Sequence, residues 1–206
     1  MTWLYYLLTV ALAYLIGSSN MAVYLARAKG VDLRGGGSGN PGTSNALILM
    51  GWKAGVLVGA HDIGKAVLAV VLAKHFLPAL PFIGAVAGVA CVLGHIFPFY
   101  LRFRGGKGFA AYIGMTIALN WKFALVVVLA IVVVTLVTDY IVVGTVLTTV
   151  AVPTYLGLAQ HSLPLALILL VATAVILIKH RENFVRILNG TEIGFRRANR
   201  GDDRKV

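Results

Sequence analysis

The uncharged run Phe123–Thr138, FALVVVLAIVVVTLVT, decides the fold class of this chain. Its sixteen residues approach the roughly 20 apolar residues that a transmembrane helix needs. Similar runs fill most of the 206-residue sequence, which is 59% hydrophobic and 12% charged, with a mean hydropathy of +0.89. A soluble domain of this composition would lack polar surface. We therefore predict an all-α integral membrane protein.

About seven transmembrane helices are expected. The seven apolar runs are Trp3–Ala26, Ala54–Leu77, Phe82–Leu101, Phe109–Asn120, Phe123–Thr138, Tyr140–Gln160 and Leu163–Ile178. The fourth and fifth runs are short, so six helices, with residues 109–138 forming one bent helix, are the alternative. The basic region of a cleaved signal peptide is missing before Trp3, so we interpret the first run as a retained helix. We expect one membrane domain over residues 1–195 and a polar cytoplasmic tail over residues 196–206.

The distribution of lysine and arginine predicts the orientation. Seven helices put fifteen of the eighteen basic residues on one side of the membrane, two (Lys74 and Lys122) on the other, and Lys65 within a helix. Because basic residues concentrate on the cytoplasmic side, the amino terminus is predicted to be external and the carboxyl terminus cytoplasmic. Three polar segments then face the cytoplasm.

The net charge of +11 indicates anionic partners. The basic residues lie between apolar runs and do not form the continuous basic face of a nucleic-acid-binding domain, so we expect no nucleic-acid partner. Anionic lipid head groups and phosphorylated substrates fit better. Cys91 is the only cysteine, and no cluster of His, Cys or carboxylates suggests a metal site or another cofactor. No obligate protein partner is evident.

The first polar segment is Arg34–Asn45, RGGGSGNPGTSN. It contains a literal GxGxxG over residues 37–42, but the dinucleotide-binding motif needs a preceding strand, and here apolar helices lie on both sides. Glycines allow the backbone to approach an anion closely, and Ser and Asn side chains add donors. We predict a phosphate-binding loop; a flexible linker is the alternative.

The second polar segment is Gly94–Gly108, GHIFPFYLRFRGGKG. It is not a Walker loop, because Gly108 follows Lys107 where Ser or Thr is required. Glycines and a lysine at the start of the fourth apolar run are typical of an anion site at the positive end of a helix. The alternative is that these cations only determine membrane orientation.

The third polar segment is Lys179–Glu192, KHRENFVRILNGTE. We expect it to leave the last transmembrane helix as a short interfacial helix that ends at Asn189–Gly190. His180 and Asn183 would share one face of this helix. A helix that only lies on the membrane surface is the alternative. Within the second apolar run, Asp62 and Lys65 are spaced to form an ion pair.

Together the three segments resemble, in order and spacing, the three signature motifs of the bacterial acyl-phosphate-dependent glycerol-3-phosphate acyltransferases, the PlsY family. The resemblance covers nearly the whole chain. It implies seven membrane helices, an active site on the cytoplasmic face of the bacterial inner membrane, and no cofactor. The implied reaction moves a fatty acyl group from acyl phosphate to the 1-hydroxyl of sn-glycerol 3-phosphate, giving lysophosphatidic acid and phosphate. Membrane lipid would surround the acyl chain.

The resemblance also implies site residues. The candidate catalytic residues are Lys107, His180, Asn183 and His95. The candidate substrate- and phosphate-binding residues are Ser38, Gly39, Asn40, Gly42, Ser44, Asn45, Arg104, Gly105, Gly106, Gly108, Arg181 and Glu192. The chain has neither a GxSxG nucleophile motif nor an H-x4-D motif. The acceptor hydroxyl would lose its proton to His180, to His95 or to a substrate phosphate oxygen, and we favour the substrate.

Four positions depart from the family pattern. The family usually has Arg at the position of Ile48, Thr at Ser44, Gly at Ala66 and Thr at Ala111. A divergent member with another acyl donor or acceptor is therefore an alternative. A transporter or channel for an anionic solute is the rival from another class, although no internal repeat supports it.

Overall fold

The computed structural model describes residues 1–196, which form nine α-helices and no β-strand. The helices are α1 (Thr2–Ser18), α2 (Met21–Lys29), α3 (Thr43–Met50), α4 (Trp52–Phe76), α5 (Ile83–Ile96), α6 (Phe109–Leu119), α7 (Trp121–Thr138), α8 (Ile141–Ala159) and α9 (Leu163–Leu188). A 3₁₀ turn, Phe99–Leu101, follows α5. Of the predicted polar tail, only Arg196 lies within the described residues.

Six helical stretches within residues 1–196 are long and apolar enough to cross a membrane. α6 is also apolar, but its 11 residues span only about 16 Å, half the hydrocarbon core. The expectation of about seven helices thus corresponds to six full-length spans and one short helix. The alternative of one bent helix over residues 109–138 is wrong: Asn120 is extended (φ −155°, ψ 92°), and its side chain accepts a hydrogen bond from the Phe123 N–H.

The first apolar run is interrupted, whereas the sequence predicted one continuous helix. α1 ends at Ser18, and α2 begins at Met21 after a break at Ser19 and Asn20. Asn20 is buried, and its side-chain oxygen accepts a hydrogen bond from the Val23 N–H, which caps α2. The break is stable because polar side chains satisfy the backbone groups that it exposes.

The third polar segment is not a separate interfacial helix, so that prediction is wrong. α9 continues without interruption from Leu163 to Leu188 and carries most of this segment on its last turns. The predicted end is correct, since Asn189 follows the last helical residue and Gly190 has a positive φ of 69°. His180 and Asn183 are therefore anchored to a 26-residue rigid element.

Glycines let the helices around the site approach closely. A side chain at Gly17 of α1 would overlap the Cys91 carbonyl of α5, and one at Gly94 would overlap the Tyr14 carbonyl of α1. Such small-residue contacts are the usual means of packing membrane helices, because lipid supplies no hydrophobic force between them. The close α1–α5 contact places the break after α1 beside the end of α5, where the second polar segment continues.

Candidate active site

The three polar segments meet at one end of the helical bundle. The Arg34 guanidinium of the first segment donates a hydrogen bond to the Arg104 carbonyl of the second (3.1 Å). The Lys107 ammonium of the second segment donates to the Asn183 side-chain oxygen of the third. Residues of all three segments line two cavities there. Segments that are far apart in the sequence thus form one site.

The first cavity, which we call the arginine cavity, has a volume of about 570 Å³. Its lining is mostly polar and cationic: Arg34, Ser38, Gly39, Asn40, Pro41, Phe97, Arg104, Gly105, Gly106, Lys107, Ile178, Lys179, Arg181 and Glu182. The Lys179 ammonium lies 4.8 Å from the centre of the Phe97 ring, a cation–π contact that holds it at the cavity wall. This cavity suits a compact, doubly charged anion.

The second cavity, the amphipathic cavity, has a volume of about 410 Å³. Its lining is Gly37, Ser38, Asn40, Thr43, Ser44, Leu47, Ile48, Lys107, Tyr140, Ile141, Val142, His180, Asn183, Arg186, Thr191, Glu192, Ile193 and Phe195. One part is polar, and another part consists of aliphatic and aromatic side chains. Ser38, Asn40 and Lys107 line both cavities, so the two spaces adjoin at these three residues.

The first segment is braced from inside. The Asn45 side chain is fully buried; its oxygen accepts from the Ser38 N–H (2.7 Å), and its nitrogen donates to the Leu33 carbonyl (2.8 Å). Asn45 therefore fixes the loop and does not face the cavities. Gly42 is also buried and caps α3. Ser44, on the first turn of α3, lines the amphipathic cavity, where the positive end of the helix dipole favours an anion.

The glycines of the second segment shape the loop. Gly105 and Gly106 line the arginine cavity, but their N–H groups donate to the carbonyls of Ile96 and His95. They are therefore not free donors in this conformation, and side chains must make most of the anion contacts. Gly108 caps α6 with a φ of +92°, which a residue with a side chain adopts only with strain, and it packs on Ile96 away from the cavities.

Lys107 lies at the boundary between the two cavities and is partly buried. Burial lowers the pKa of its ammonium group below the ordinary value of 10.5, and the nearby positive charge of Arg186 lowers the pKa further. Glu192 and Glu182 oppose this shift. The hydrogen-bond partner of Lys107 is the neutral Asn183 amide, so the charge of the ammonium can pair with a phosphate oxygen.

The third segment supplies a histidine and an amide on one buried face of α9, as its spacing predicted. The His180 Nδ1 lies 2.8 Å from the Ile176 carbonyl oxygen. A carbonyl oxygen can only accept a hydrogen bond, so the ring nitrogen is the donor. We therefore assign the ring proton to Nδ1, which leaves Nε2 as a hydrogen-bond acceptor. The Asn183 amide nitrogen donates to the Glu192 carboxylate (2.6 Å), and the same carboxylate pairs with Arg186 (2.6 Å).

The residues after α9 return to the bundle and close one wall of the amphipathic cavity. The Phe195 N–H donates to the Asp139 carbonyl (2.7 Å), and the Arg196 N–H donates to the Asp139 carboxylate (2.9 Å). Asp139 ends α7 in the left-handed conformation. These contacts hold Ile193 and Phe195 against the cavity, a contribution that sequence reasoning missed because the residues lie beyond the third segment.

Four of the candidate residues line neither cavity: Asn45, described above, and Gly42, Gly108 and His95. Gly42 and Gly108 cap helices, and His95 lies behind the Gly105–Gly106 turn, where it is buried with Asp62 and Lys65. The predicted Asp62–Lys65 pair is present at 2.8 Å.

Sequence reasoning also missed Arg34 and Arg186 as cavity residues. The sequence signal that could have identified them is their location: Arg34 begins the first polar segment, and Arg186 lies within the third. Within residues 1–196, no group of three His, Cys, Asp or Glu side chains is placed to hold a metal ion.

Comparison with known proteins identifies the family. A family model described as glycerol-3-phosphate acyltransferase matches residues 7–190. A glycerol-3-phosphate acyltransferase of Geobacter sulfurreducens is 33% identical over 190 residues, covering 92% of this chain and 97% of the relative. One of Coxiella burnetii is 38% identical over 188 residues, covering 91% of this chain and 96% of the relative.

Solved structures agree. The crystal structure of PlsY, an integral membrane glycerol 3-phosphate acyltransferase, in its glycerol 3-phosphate form matches with a TM-score of 0.86 and 34% identity, covering 92% of this chain and 95% of that one. Its lysophosphatidic acid form matches with a TM-score of 0.84, 32% identity and coverage of 94% and 98%. The fold and site therefore define an integral membrane acyltransferase. The chain belongs to the glycerol-3-phosphate acyltransferase family.

Proposed function

We propose that this chain transfers a fatty acyl group from acyl phosphate to the 1-hydroxyl of sn-glycerol 3-phosphate, producing lysophosphatidic acid and inorganic phosphate, the first step of phospholipid synthesis. The observation that carries this proposal is the pair of adjoining cavities. One is lined by cations and one is partly apolar, and both are bordered by Ser38, Asn40 and Lys107. Two phosphate-bearing substrates, one of them with a hydrocarbon chain, match this division.

Glycerol 3-phosphate occupies the arginine cavity in this proposal. Arg34, Arg104 and Arg181 line that cavity and can neutralise a phosphate monoester. The acyl phosphate occupies the amphipathic cavity, with its phosphate near Lys107 and Ser44. Its hydrocarbon chain leaves past Ile141 and Val142 toward lipid. The acceptor hydroxyl and the acyl carbonyl then meet at the shared boundary.

The chemistry needs no covalent intermediate on the protein. Acyl phosphate is a mixed anhydride, so its carbonyl carbon is already activated. The hydroxyl oxygen of glycerol 3-phosphate forms the new C–O bond, the tetrahedral oxyanion collapses, and the bond to the phosphate oxygen breaks. Lys107 and the Asn183 amide stabilise the negative charge on the oxyanion and the departing phosphate. Ser38 and Asn40 orient the two phosphates at the boundary.

A substrate phosphate oxygen accepts the hydroxyl proton in this scheme. His180 contributes its Nε2 lone pair as a hydrogen-bond acceptor for the neighbouring 2-hydroxyl group, which orients glycerol 3-phosphate and leaves the proton of the 1-hydroxyl to the phosphate oxygen. Glu192 fixes Asn183 and Arg186, so its role is to position the amide. Replacing His180 by alanine would then change kcat little while raising the KM for glycerol 3-phosphate. A collapse of kcat with KM unchanged would instead make His180 the base.

The site faces the cytoplasm in our proposal, with the chain in the bacterial inner membrane. The excess of basic residues at the site end of the bundle supports this orientation. In sealed membrane vesicles, externally added glycerol 3-phosphate should be acylated only when the vesicles are inverted. Activity confined to right-side-out vesicles would reverse the assigned topology.

The decisive experiment uses purified protein in detergent with palmitoyl phosphate and glycerol 3-phosphate. Phosphate and lysophosphatidic acid should appear in equal amounts, and only when both substrates are present. Uptake of glycerol 3-phosphate into proteoliposomes without any product would indicate a transporter. Product formed only with a different donor or acceptor would indicate a divergent acyltransferase.

Two variants test the assignment of the cavities. Arg181→Met should raise the KM for glycerol 3-phosphate and leave the KM for acyl phosphate nearly unchanged, because Arg181 lines only the arginine cavity. Ile193→Asp should do the opposite, because a carboxylate in the amphipathic cavity repels the acyl phosphate. The same KM effect from both variants would contradict separate subsites.

A further inference from the structure

A buried ionic cluster lies behind the candidate site. It comprises Asp62 and Lys65 of α4 and His95 of α5, whose exposed fractions are 2%, 5% and 3%. The Lys65 ammonium has three protons and three acceptors: the Asp62 carboxylate (2.8 Å), the His95 Nδ1 (2.9 Å) and the Ser19 carbonyl (2.7 Å). Charges this deep within a membrane protein are costly unless fully paired, so the cluster has a specific role.

The donors and acceptors of the cluster define the state of His95. The His95 Nδ1 lies 2.9 Å from the Lys65 ammonium and 3.3 Å from the Asp62 carboxylate. Because the ammonium is a donor only and its contact is the shorter one, we assign Nδ1 as the acceptor and the ring proton to Nε2. Nε2 is directed at Gly106, where an added methyl group would overlap the ring. The Gly106 N–H in turn donates to the His95 carbonyl (3.2 Å). His95 therefore supports the turn of the second polar segment from behind and has no free acceptor for a substrate proton.

The same lysine holds the first polar segment. Lys65 fixes the Ser19 carbonyl at the break between α1 and α2. The next residue, Asn20, donates from its side-chain nitrogen to the Pro41 carbonyl in the first segment (3.2 Å). His61, one turn before Lys65, contacts the Ser19 hydroxyl (2.9 Å). The Lys65 ammonium thus connects the break after α1 to His95. The break holds the first polar segment through Asn20, and His95 supports the second polar segment.

We propose that the Asp62–Lys65–His95 cluster is a positioning device that sets the two phosphate-binding segments at a fixed separation, and that His95 acts as a positioning residue without exchanging protons with substrate. This inference rests on the proposed function, because it concerns the spacing of the phosphate-binding segments in the same site. The cavity walls that come from these segments include Asn40 and Lys107, which border both cavities. A small shift of either segment would separate the reacting groups.

Two substitutions at His95 distinguish positioning from proton transfer. His95→Asn keeps an acceptor near the position of Nδ1, so Lys65 retains its third partner. The Asn side chain lacks the ring atoms that face Gly106, so we expect a loss of kcat/KM of at most about tenfold and an unchanged pH profile. His95→Ala removes the acceptor and the support of Gly106, and should lower kcat/KM about 100-fold. If His95 transferred protons, Asn would be as inactive as Ala; equal losses therefore overturn the proposal, as would full activity of the Ala variant.

A matched pair of lysines tests the cluster itself. Lys65→Met should lower kcat/KM about 100-fold, mainly by raising KM for both phosphate substrates. Lys74→Met, in the same helix but exposed at its far end, should leave both KM values unchanged. The double variant Asp62→Asn/Lys65→Met buries no uncompensated charge, so it folds even if the single variant does not, and it should show the same KM increase. Wild-type KM values in a folded double variant would refute the positioning role.

Measurements on the wild-type enzyme distinguish a failure of the proposed function from a failure of the positioning inference. If wild type makes no lysophosphatidic acid from palmitoyl phosphate and glycerol 3-phosphate, the proposed function fails. If wild type is active but the cluster variants keep wild-type KM values, only the positioning inference fails. Melting temperatures measured in the same detergent show whether each variant is folded.

Discussion

Replacing Lys107 by methionine removes an ammonium group that lines both cavities and contacts Asn183, while keeping a side chain of similar length. Under the proposed mechanism, this ammonium makes a charge-assisted hydrogen bond to a substrate phosphate oxygen. Such a bond contributes about 1.5–3 kcal/mol. Its loss corresponds to a decrease of about 10- to 150-fold in kcat/KM for acyl phosphate. The arginines of the arginine cavity do not replace this contact, because they bind the phosphate of glycerol 3-phosphate.

The assay follows phosphate release at varied palmitoyl phosphate and saturating glycerol 3-phosphate. Lys53→Met is the matched control, since Lys53 is exposed, lies 5.8 Å from the centre of the Trp52 ring and lines neither cavity. It should retain wild-type kinetics. The reasoning is refuted if Lys107→Met stays within twofold of wild type, or if Lys53→Met loses as much activity, because the cation would then act only through general surface charge.

Three further outcomes are expected. Gly105→Ala should destabilise the fold by about 1–3 kcal/mol, because the new methyl group would overlap the His95 carbonyl and the Pro98 ring, whereas Gly64→Ala on the open face of α4 should change the melting temperature little. The KM for acyl phosphate should rise with increasing pH below the ordinary lysine pKa of 10.5, because the lowered pKa of Lys107 means that its ammonium loses its charge at a lower pH; in Lys107→Arg this rise should disappear. Ile48→Arg should lower the KM for acyl phosphate, since it adds a cation to the amphipathic cavity; an unchanged KM would show that the departure at this position does not affect donor binding.

Much of the architecture could be predicted from the sequence. The apolar runs place most of the long helices within a few residues of their observed positions, because bilayer thickness imposes helix length. The sequence also predicted that the three polar segments lie on one side of the membrane, because an even number of apolar runs separates each segment from the next. Spacing also predicted the shared face of His180 and Asn183 and the Asp62–Lys65 pair.

The remaining features depend on tertiary contacts. The break at Ser19–Asn20 is satisfied by Lys65 and Pro41, which are distant in the sequence, so hydropathy alone showed a continuous helix. Gly105 and Gly106 were predicted to bind phosphate, but their N–H groups pair with carbonyls at the end of α5. A glycine-rich pattern indicates where the backbone can turn, and it does not specify which acceptors the turn will find.

The contact between Lys107 and Asn183, which are 76 residues apart, offers the most direct test that the polar segments form one site. A double-mutant cycle would compare kcat/KM for wild type, Lys107→Met, Asn183→Ala and the double variant. Because the two side chains share a hydrogen bond and a substrate phosphate, we predict a coupling energy of about 1–3 kcal/mol. Effects that add within about 0.5 kcal/mol would contradict a single site built from the second and third segments.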